Sequence, residues 1–128
     1  MIEVQKSSNK QRCIVAKEEI LQNTLIEVSP IATIPSEQLS IIDKTEIFRY
    51  YFVQSSEYSE RKICRGYIVF GLTSLCNHSE NPNSKVCWIE NEVGLWCHLV
   101  AIKNIEPGEE VTLFYTNIDK YVDIDRVS

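Results

Sequence analysis

The apolar positions fall in short runs separated by polar turns, which is the pattern of a strand-rich chain. "RCIVA" (12–16) is the first such run. "TLIEVSPIATIP" (24–35) reads as two strands broken at Pro30, because proline has no N–H to give a ladder. Ser36 ahead of "EQLSIID" reads as the N-cap of a helical turn, with acids that suit a helix start. "EIFRYYFV" (46–53) fits a short helix or a strand equally well, and "QSSEYSERK" (54–62) reads as a polar loop. "GYIVFG" (66–71) is a buried strand. "SKVCWIE" (84–90) and "LWCHLVAI" (95–102) form a hairpin about the turn "NEVG" (91–94). "NIEPGEE" (104–110) is a turn built on Pro107-Gly108 that leads into the strand "VTLFY" (111–115). A polar, acidic tail (117–128) closes a chain expected to be one mostly-β domain.

Composition narrows the partners. Thirteen basic residues against eighteen acidic give a net charge of −5, with no run of five basic residues. Direct nucleic-acid binding is disfavoured, because phosphate contacts need clustered Lys and Arg. A basic, lysine-containing protein or peptide is the easier partner. No apolar run approaches the roughly 18 residues of a membrane span, so no membrane partner is expected. Five cysteines at spacings of 51, 12, 11 and 10 contain no C-x-x-C pair. They read as reduced, mostly buried thiols, with no metal site and no disulfide framework. "MIEVQKSSNKQR" has no apolar signal-peptide core, so a cytoplasmic location is the default expectation, or a nuclear one if the substrate is chromatin.

One stretch stands out. "NHSENPN" (77–83) gathers seven polar or turn-forming residues beside the apolar "IVFGLTSLC". Asn77-His78-Ser79 fits a glycosylation acceptor, a role that needs secretion. A cysteine hydrolase built on Cys76 and His78 would also account for polar groups here. Residues at i and i+2 rarely present nucleophile and base to each other, however, and no orienting acid is evident.

Three stretches in order, "QRCIVAKEEILQNTLIEVSP" (11–30), "GLTSLCNHSENPN" (71–83) and "AIKNIEPGEEVTLFY" (101–115), resemble the SET domain of protein lysine methyltransferases. "NHSENPN" is similar to the family's N-H-S-x-x-P-N motif, and "IEPGEEVTLFY" to its I-x-x-G-E-E-(apolar)-T-x-x-Y motif. The resemblance covers about residues 10–116 and extends to the minimal stand-alone SET proteins of bacteria and large DNA viruses. It implies a β-clip fold of several short strands and small sheets, few short helices and a knot-like C-terminal crossing. It further implies S-adenosylmethionine as cofactor and methyl transfer to the lysine side chain of a protein substrate, of a histone-like kind. By the same resemblance Arg12, Cys13, Asn77, His78 and Tyr115 would contact the donor. Tyr115 would be the catalytic residue, Tyr50 would line the substrate channel, and Asn83 would close the turn. Glu109 and Glu110 read as structural or surface residues. Tyr67 and His98 read as core, and Trp88 and Trp96 as core or interface.

The chain departs from the family where G-x-G is usual and Gln11-Arg12-Cys13 stands instead, and at Thr73 and Thr116, where glycine is common. A Cβ at Gln11 and Cys13 could crowd the donor. The alternative expectation is therefore a catalytically inactive SET-like interaction module. A homodimer covering exposed apolar surface is the expected assembly.

Overall fold

The computed structural model describes residues 1–8, 11–60 and 64–117. Among the described residues nine strands carry the fold: β1 (Ile2–Lys6), β2 (Arg12–Ala16), β3 (Leu25–Ile34), β4 (Tyr51–Phe52), β5 (Gly66–Val69), β6 (Asn77–His78), β7 (Ser84–Asn91), β8 (Gly94–Ala101) and β9 (Thr112–Leu113). Two helices, α1 (Leu39–Ile42) and α2 (Ser55–Glu60), and three 3-10 turns (Ser36–Gln38, Glu46–Arg49, Leu72–Leu75) connect them.

The largest sheet has the order β4-β5-β3-β8-β7. β7 and β8 form the expected hairpin, closed where Asn91 pairs with Gly94. The Asn91 carboxamide oxygen accepts from Val93 N, Gly94 N and Trp96 Nε1, which fixes the turn and one tryptophan together.

β3 is one strand and not two. Its first half pairs with β8 as far as Pro30–Trp96, and its second half pairs with β5 from Ile31–Val69. Pro30 stands where the strand exchanges one partner for the other. Its missing N–H costs little there, and its carbonyl still accepts from Phe70 N at 3.0 Å.

Three other sequence expectations are corrected. Pro35, not Ser36, occupies the cap position, and Gln38 N donates to the Pro35 carbonyl, so no hydroxyl cap forms. The stretch read as a loop holds α2, begun when Glu57 N and Tyr58 N both donate to Gln54 O. The last strand is only two residues of ladder. Val111 N turns instead to Ile14 O, and Tyr115 N to a histidine ring. Residues 46–53, which fitted either element, contain both: a 3-10 turn capped by Thr45 Oγ1, then β4. In the tail, Asn117 is buried, and 118–128 lie outside the described residues.

The core centres on Ile14, Ile20, Leu99, Ile105, Val111 and Leu113. It joins β2, β8 and the residues around β9, so apolar burial itself holds the C-terminal segment against the sheet. β1 covers the outer edge of β2 in an antiparallel pair. Among the described residues no helix is long and apolar enough to cross a membrane.

Candidate functional site: a threaded crossing beside an aromatic cavity

β6 and β9 form a two-stranded parallel pair, with Asn77 opposite Thr112 and His78 opposite Leu113. Ser79 N continues the ladder to Leu113 O at 2.8 Å. On the far side, Val15 bridges Glu110 and Val111 N donates to Ile14 O. The segment 110–115 is thus gripped between β2 and the 76–84 loop.

Side chains of the "NHSENPN" stretch finish the grip. Asn83 Oδ1 accepts from Thr112 N at 2.9 Å, and Asn83 Nδ2 donates to Glu110 O at 2.7 Å. The carboxamide stands in for a strand where the backbone is too irregular to ladder. Ser84 Oγ adds a 2.7 Å bond to Thr112 O. Asn83 therefore closes more than its own turn.

His78 is fully buried. Its Nδ1 accepts from Tyr115 N at 2.9 Å, which requires the tautomer with the proton on Nε2. Nε2 faces the exposed Glu80 at 3.3 Å. The Tyr115 ring packs on the imidazole at 5.3 Å, and Phe114 packs on it at 4.8 Å. The Tyr115 hydroxyl donates to Cys76 O at 2.6 Å. Tyr115 is thereby fixed at both its backbone and its hydroxyl.

Asn77 Nδ2 donates to Arg12 O at 3.2 Å and to Glu110 Oε2 at 2.9 Å. Its Oδ1 is buried and has no hydrogen-bond partner among the described residues. An unpaired buried acceptor is costly unless something else supplies a donor. Arg12 itself points outward, and its guanidinium reaches the Tyr50 hydroxyl at 3.5 Å. Cys13 is buried in β2 next to Glu110, and burial first, then that charge, push its thiol up.

Beside Tyr115 lies a cavity of about 500 Å³. Tyr50, Phe52, Val86, Trp88, Leu113 and Asn117 are among its walls. Tyr50 ends the 3-10 turn and Tyr51 begins β4; both line the cavity, but the Tyr51 hydroxyl is committed to Asp43 at 2.7 Å. Trp88, half-buried, packs on Phe52 and Tyr67 and forms part of the cavity wall. Tyr67 is fully buried, as read from the sequence. Its hydroxyl donates to Glu57 Oε2 at 2.7 Å, and burial, with that carboxylate's hydrogen bond and charge, pushes it up to about 12. Glu57 also takes Arg65 Nη2 at 2.7 Å and Arg65 N at 3.0 Å, tying α2 to β5.

The structure brings Asn77, His78, Tyr115 and the Arg12 carbonyl together, with Tyr50 in the wall of the cavity that Tyr115 also lines. Of the residues expected at the site, Tyr50 and Tyr115 line the cavity, and Arg12, Cys13, Asn77 and His78 lie behind its wall. Glu109 and Glu110 are structural: Glu109 Oε1 accepts from Glu106 N, and Glu110 holds Asn77.

Sequence reasoning missed Glu27. Its carboxylate takes Leu72 N, Thr73 N, Thr73 Oγ1 at 2.6 Å and Ser29 Oγ, and so anchors the turn that precedes Asn77. Thr73, where the family resemblance led to the expectation of a glycine, donates twice to this carboxylate. Gly71 runs so close to Ser29 and Glu27 that a Cβ would collide with both. No disulfide joins any of the five cysteines, and Cys13, Cys76 and Cys97 are buried. Among the described residues no group of His, Cys, Asp and Glu is arranged to hold a metal.

A parallel two-residue ladder locked by an Asn-His stretch, with a tyrosine anchored at its end, is a SET arrangement, and the SET domain family model matches residues 11–116. The chain belongs to the SET domain family. It is 42% identical over 52 residues to the protein-lysine N-trimethyltransferase SMYD5 of Mus musculus. That match takes in 41% of this chain and spans only 12% of the relative's length. Over 114 residues it is 25% identical to the histone-lysine N-methyltransferase, H3 lysine-37 specific, of Schizosaccharomyces pombe, covering 89% of this chain and 72% of that protein. In fold it is similar to Plasmodium falciparum PFL0690c, with a TM-score of 0.70 at 24% identity, 90% of this chain and 96% of that one. The Neurospora SET domain protein DIM-5 superposes with a TM-score of 0.68 at 19% identity, over 89% of this chain and 51% of that one.

Proposed function

We propose that the chain acts as a single-domain protein-lysine N-methyltransferase with S-adenosylmethionine as methyl donor. The observation that carries this reading is Tyr115: it lines the cavity while its N–H and hydroxyl are both fixed to the loop bearing Asn77. The Asn77 Oδ1 acceptor, buried and unsatisfied, fits a ligand that brings an ammonium or amino group, and the donor has both. Arg12, Cys13, Asn77, His78 and Tyr115 are the residues that would hold it. Bound there, it would supply a methyl group activated by a sulfonium.

The remaining tasks fall to this chain's own side chains. A lysine amine is protonated below roughly 10.4 in water and must be neutral to attack. Phe52, Trp88, Val86 and Leu113 give the cavity a poorly hydrated wall, which disfavours the ammonium form. Tyr50 lines the channel, and Tyr115 sets the alignment that dominates an in-line displacement. The substrate is the lysine side chain of a protein, and the overall charge of −5 favours a partner of net positive charge, of the histone kind. The alternative of a donor-free interaction module has no observation in its favour. Across the glycine-free stretch β2 is an ordinary paired strand, and its Arg12 carbonyl serves Asn77.

The deciding experiment is calorimetric titration of the protein with S-adenosylmethionine, repeated on Asn77→Ala, followed by transfer of a labelled methyl group to lysine-containing proteins. Saturable binding that the variant loses, with label appearing on lysine, is the expected result. No heat up to millimolar donor would overturn the reading.

A further inference from the structure

The 3-10 turn Leu72–Leu75 is capped from another strand. Gly71 precedes it and has no side chain to offer the free N–H groups of a helical start. The Glu27 carboxylate on β3 takes that place. Its Oε2 accepts from Leu72 N at 3.0 Å, and its Oε1 accepts from Thr73 N at 2.8 Å and from Thr73 Oγ1 at 2.6 Å. The buried Ser29 hydroxyl donates to the same Oε1 at 3.2 Å. The fit is close as well as bonded. Gly71 has an extended backbone, so its missing Cβ serves approach rather than conformation: a Cβ there would strike Ser29 Oγ and Glu27 Oε1.

The far end of the same turn reaches the site. Thr73 is fully buried, and its carbonyl accepts from Cys76 N at 3.1 Å. Cys76 leaves the turn with an extended backbone, and its own carbonyl takes the Tyr115 hydroxyl at 2.6 Å. Thr73 is therefore tied to Glu27 through its N–H and hydroxyl, and to Cys76 through its carbonyl. Neither Glu27 nor Thr73 lines the cavity, whereas Tyr115 does. A continuous run of hydrogen bonds connects a carboxylate outside the cavity to the hydroxyl of a tyrosine in its wall.

We propose that Glu27 and Thr73 are positioning residues for methyl transfer, acting through the Cys76 carbonyl on the Tyr115 hydroxyl. This rests on the lysine-methyltransferase reading and adds to it two residues from outside the cavity. The physical reason is alignment. Misplacing a reacting geometry by about 1 Å costs on the order of a hundredfold in rate. Thr73 Oγ1 makes the shortest bond to the carboxylate, and a glycine at this position would lack it. The departure from the family at residue 73 thus adds a fixed point to the framework behind Tyr115.

The test is a double-mutant cycle on the full chain between Thr73→Val, which removes the hydroxyl at nearly constant volume, and Tyr115→Phe. Methyl transfer is followed with labelled donor and a lysine-containing protein. Thr73→Val is expected to lower kcat about tenfold, a part of the full misalignment cost, while the KM for donor stays within about twofold. Thr73→Ser, which keeps the hydroxyl, should recover most of that loss. In the Tyr115→Phe background Thr73→Val should change kcat less than about twofold, because the hydroxyl it positions is gone. Glu27→Gln, which keeps one acceptor oxygen, is the second entry to the same cycle and should behave alike. A merely structural role predicts the same factor in both backgrounds, and that result would overturn the inference, as would a loss carried by KM alone. Urea midpoints of the same proteins read the connection without turnover: the shifts from Thr73→Val and Tyr115→Phe should sum to more than the shift of the double variant. Additive midpoints in a chain that transfers methyl groups sink only this inference. Coupled midpoints in a chain that transfers none sink the enzyme reading, and the positioning role with it.

Discussion

Replacing Asn83 with alanine removes the carboxamide that closes the crossing, and its cost follows from two hydrogen bonds. Thr112 N–H loses an acceptor at 2.9 Å and Glu110 C=O loses a donor at 2.7 Å, at a position 5% exposed. The 3.5 Å approach to Glu109 Oε2 is too long to count. Each backbone group left unsatisfied in such a place costs about 1–3 kcal/mol, and water entering the vacated space keeps the sum near the lower end, about 3 kcal/mol. Against a total stability of about 5–15 kcal/mol, that is a large fraction. With a urea m-value of about 2 kcal/mol/M, the unfolding midpoint should fall by about 1.5 M. Asn83→Asp is the sharper variant. It keeps the acceptor for Thr112 N but turns an oxygen toward the Glu110 carbonyl and the Glu109 carboxylate. Its loss should match or exceed alanine's at neutral pH and should lessen on acidification, when the new carboxyl becomes a donor. Urea titrations followed by tryptophan fluorescence measure both. A shift below about 0.5 M in either variant would refute the claim that this carboxamide staples the C-terminal segment.

Tyr115→Phe strands the Cys76 carbonyl. It should cost about 1–2 kcal/mol of stability by the same denaturation assay, and about a hundredfold in methyl transfer measured with labelled donor, because a fixed hydroxyl beside the cavity is lost. Burial alone would raise the Glu57 carboxyl, but hydrogen bonds from Arg65 and Tyr67 and the Arg65 charge bring it below its ordinary value. Its contribution is therefore present above the unfolded value of roughly 4.3 and lost as pH falls through the folded one. Glu57→Gln should be about 1–2 kcal/mol less stable at pH 7, with the gap to wild type closing in acid denaturation below about pH 4. Tyr67, pushed up to about 12, gives stability that is whole below pH 10.0 and lost through pH 12. Tyr67→Phe should remove that alkaline loss in a pH-dependent melting series. In native protein a thiol reagent should label Cys64 and Cys87, both half-buried, well before Cys97, whose thiol burial, Glu27 and Cys87 push up to about 12.

The hairpin and the site were readable from the sequence for different reasons. The β7–β8 hairpin shows in local pattern, apolar runs about a four-residue turn. The crossing shows because its polar residues are bonded in sets, so "NHSENPN" and "IEPGEE" hold residue types that only make sense together. What stayed hidden depends on distance. Glu27 sits in an apolar strand and gives no local signal, because its partners Leu72 and Thr73 are 45 and 46 residues away. Tyr67 could be read as buried, but its partner Glu57 lay in a stretch whose polarity suggested a loop. Pro30 looked like a strand break because sequence cannot show that a strand changes partner at that residue. β1 alternates too weakly to stand out, and it pairs only along the edge of β2. Asn117 looked like tail until the cavity gave it a wall.

The parallel β6–β9 pair sets an order of events during synthesis. Tyr115 and His78, 37 residues apart, meet only after the segment bearing Tyr115 has left the ribosome. The β3–β8–β7 sheet can form earlier, since its last residue is Ala101. A nascent chain at that stage has a sheet but no site, with His78 and Asn77 facing solvent and Val111 and Leu113 not yet delivered to the core. Non-local closure of this kind is slow compared with hairpin formation. Competence for chemistry therefore arrives in the final folding step, and a chain clipped before Glu110 would keep much of its sheet signal in circular dichroism while losing every contact of the crossing.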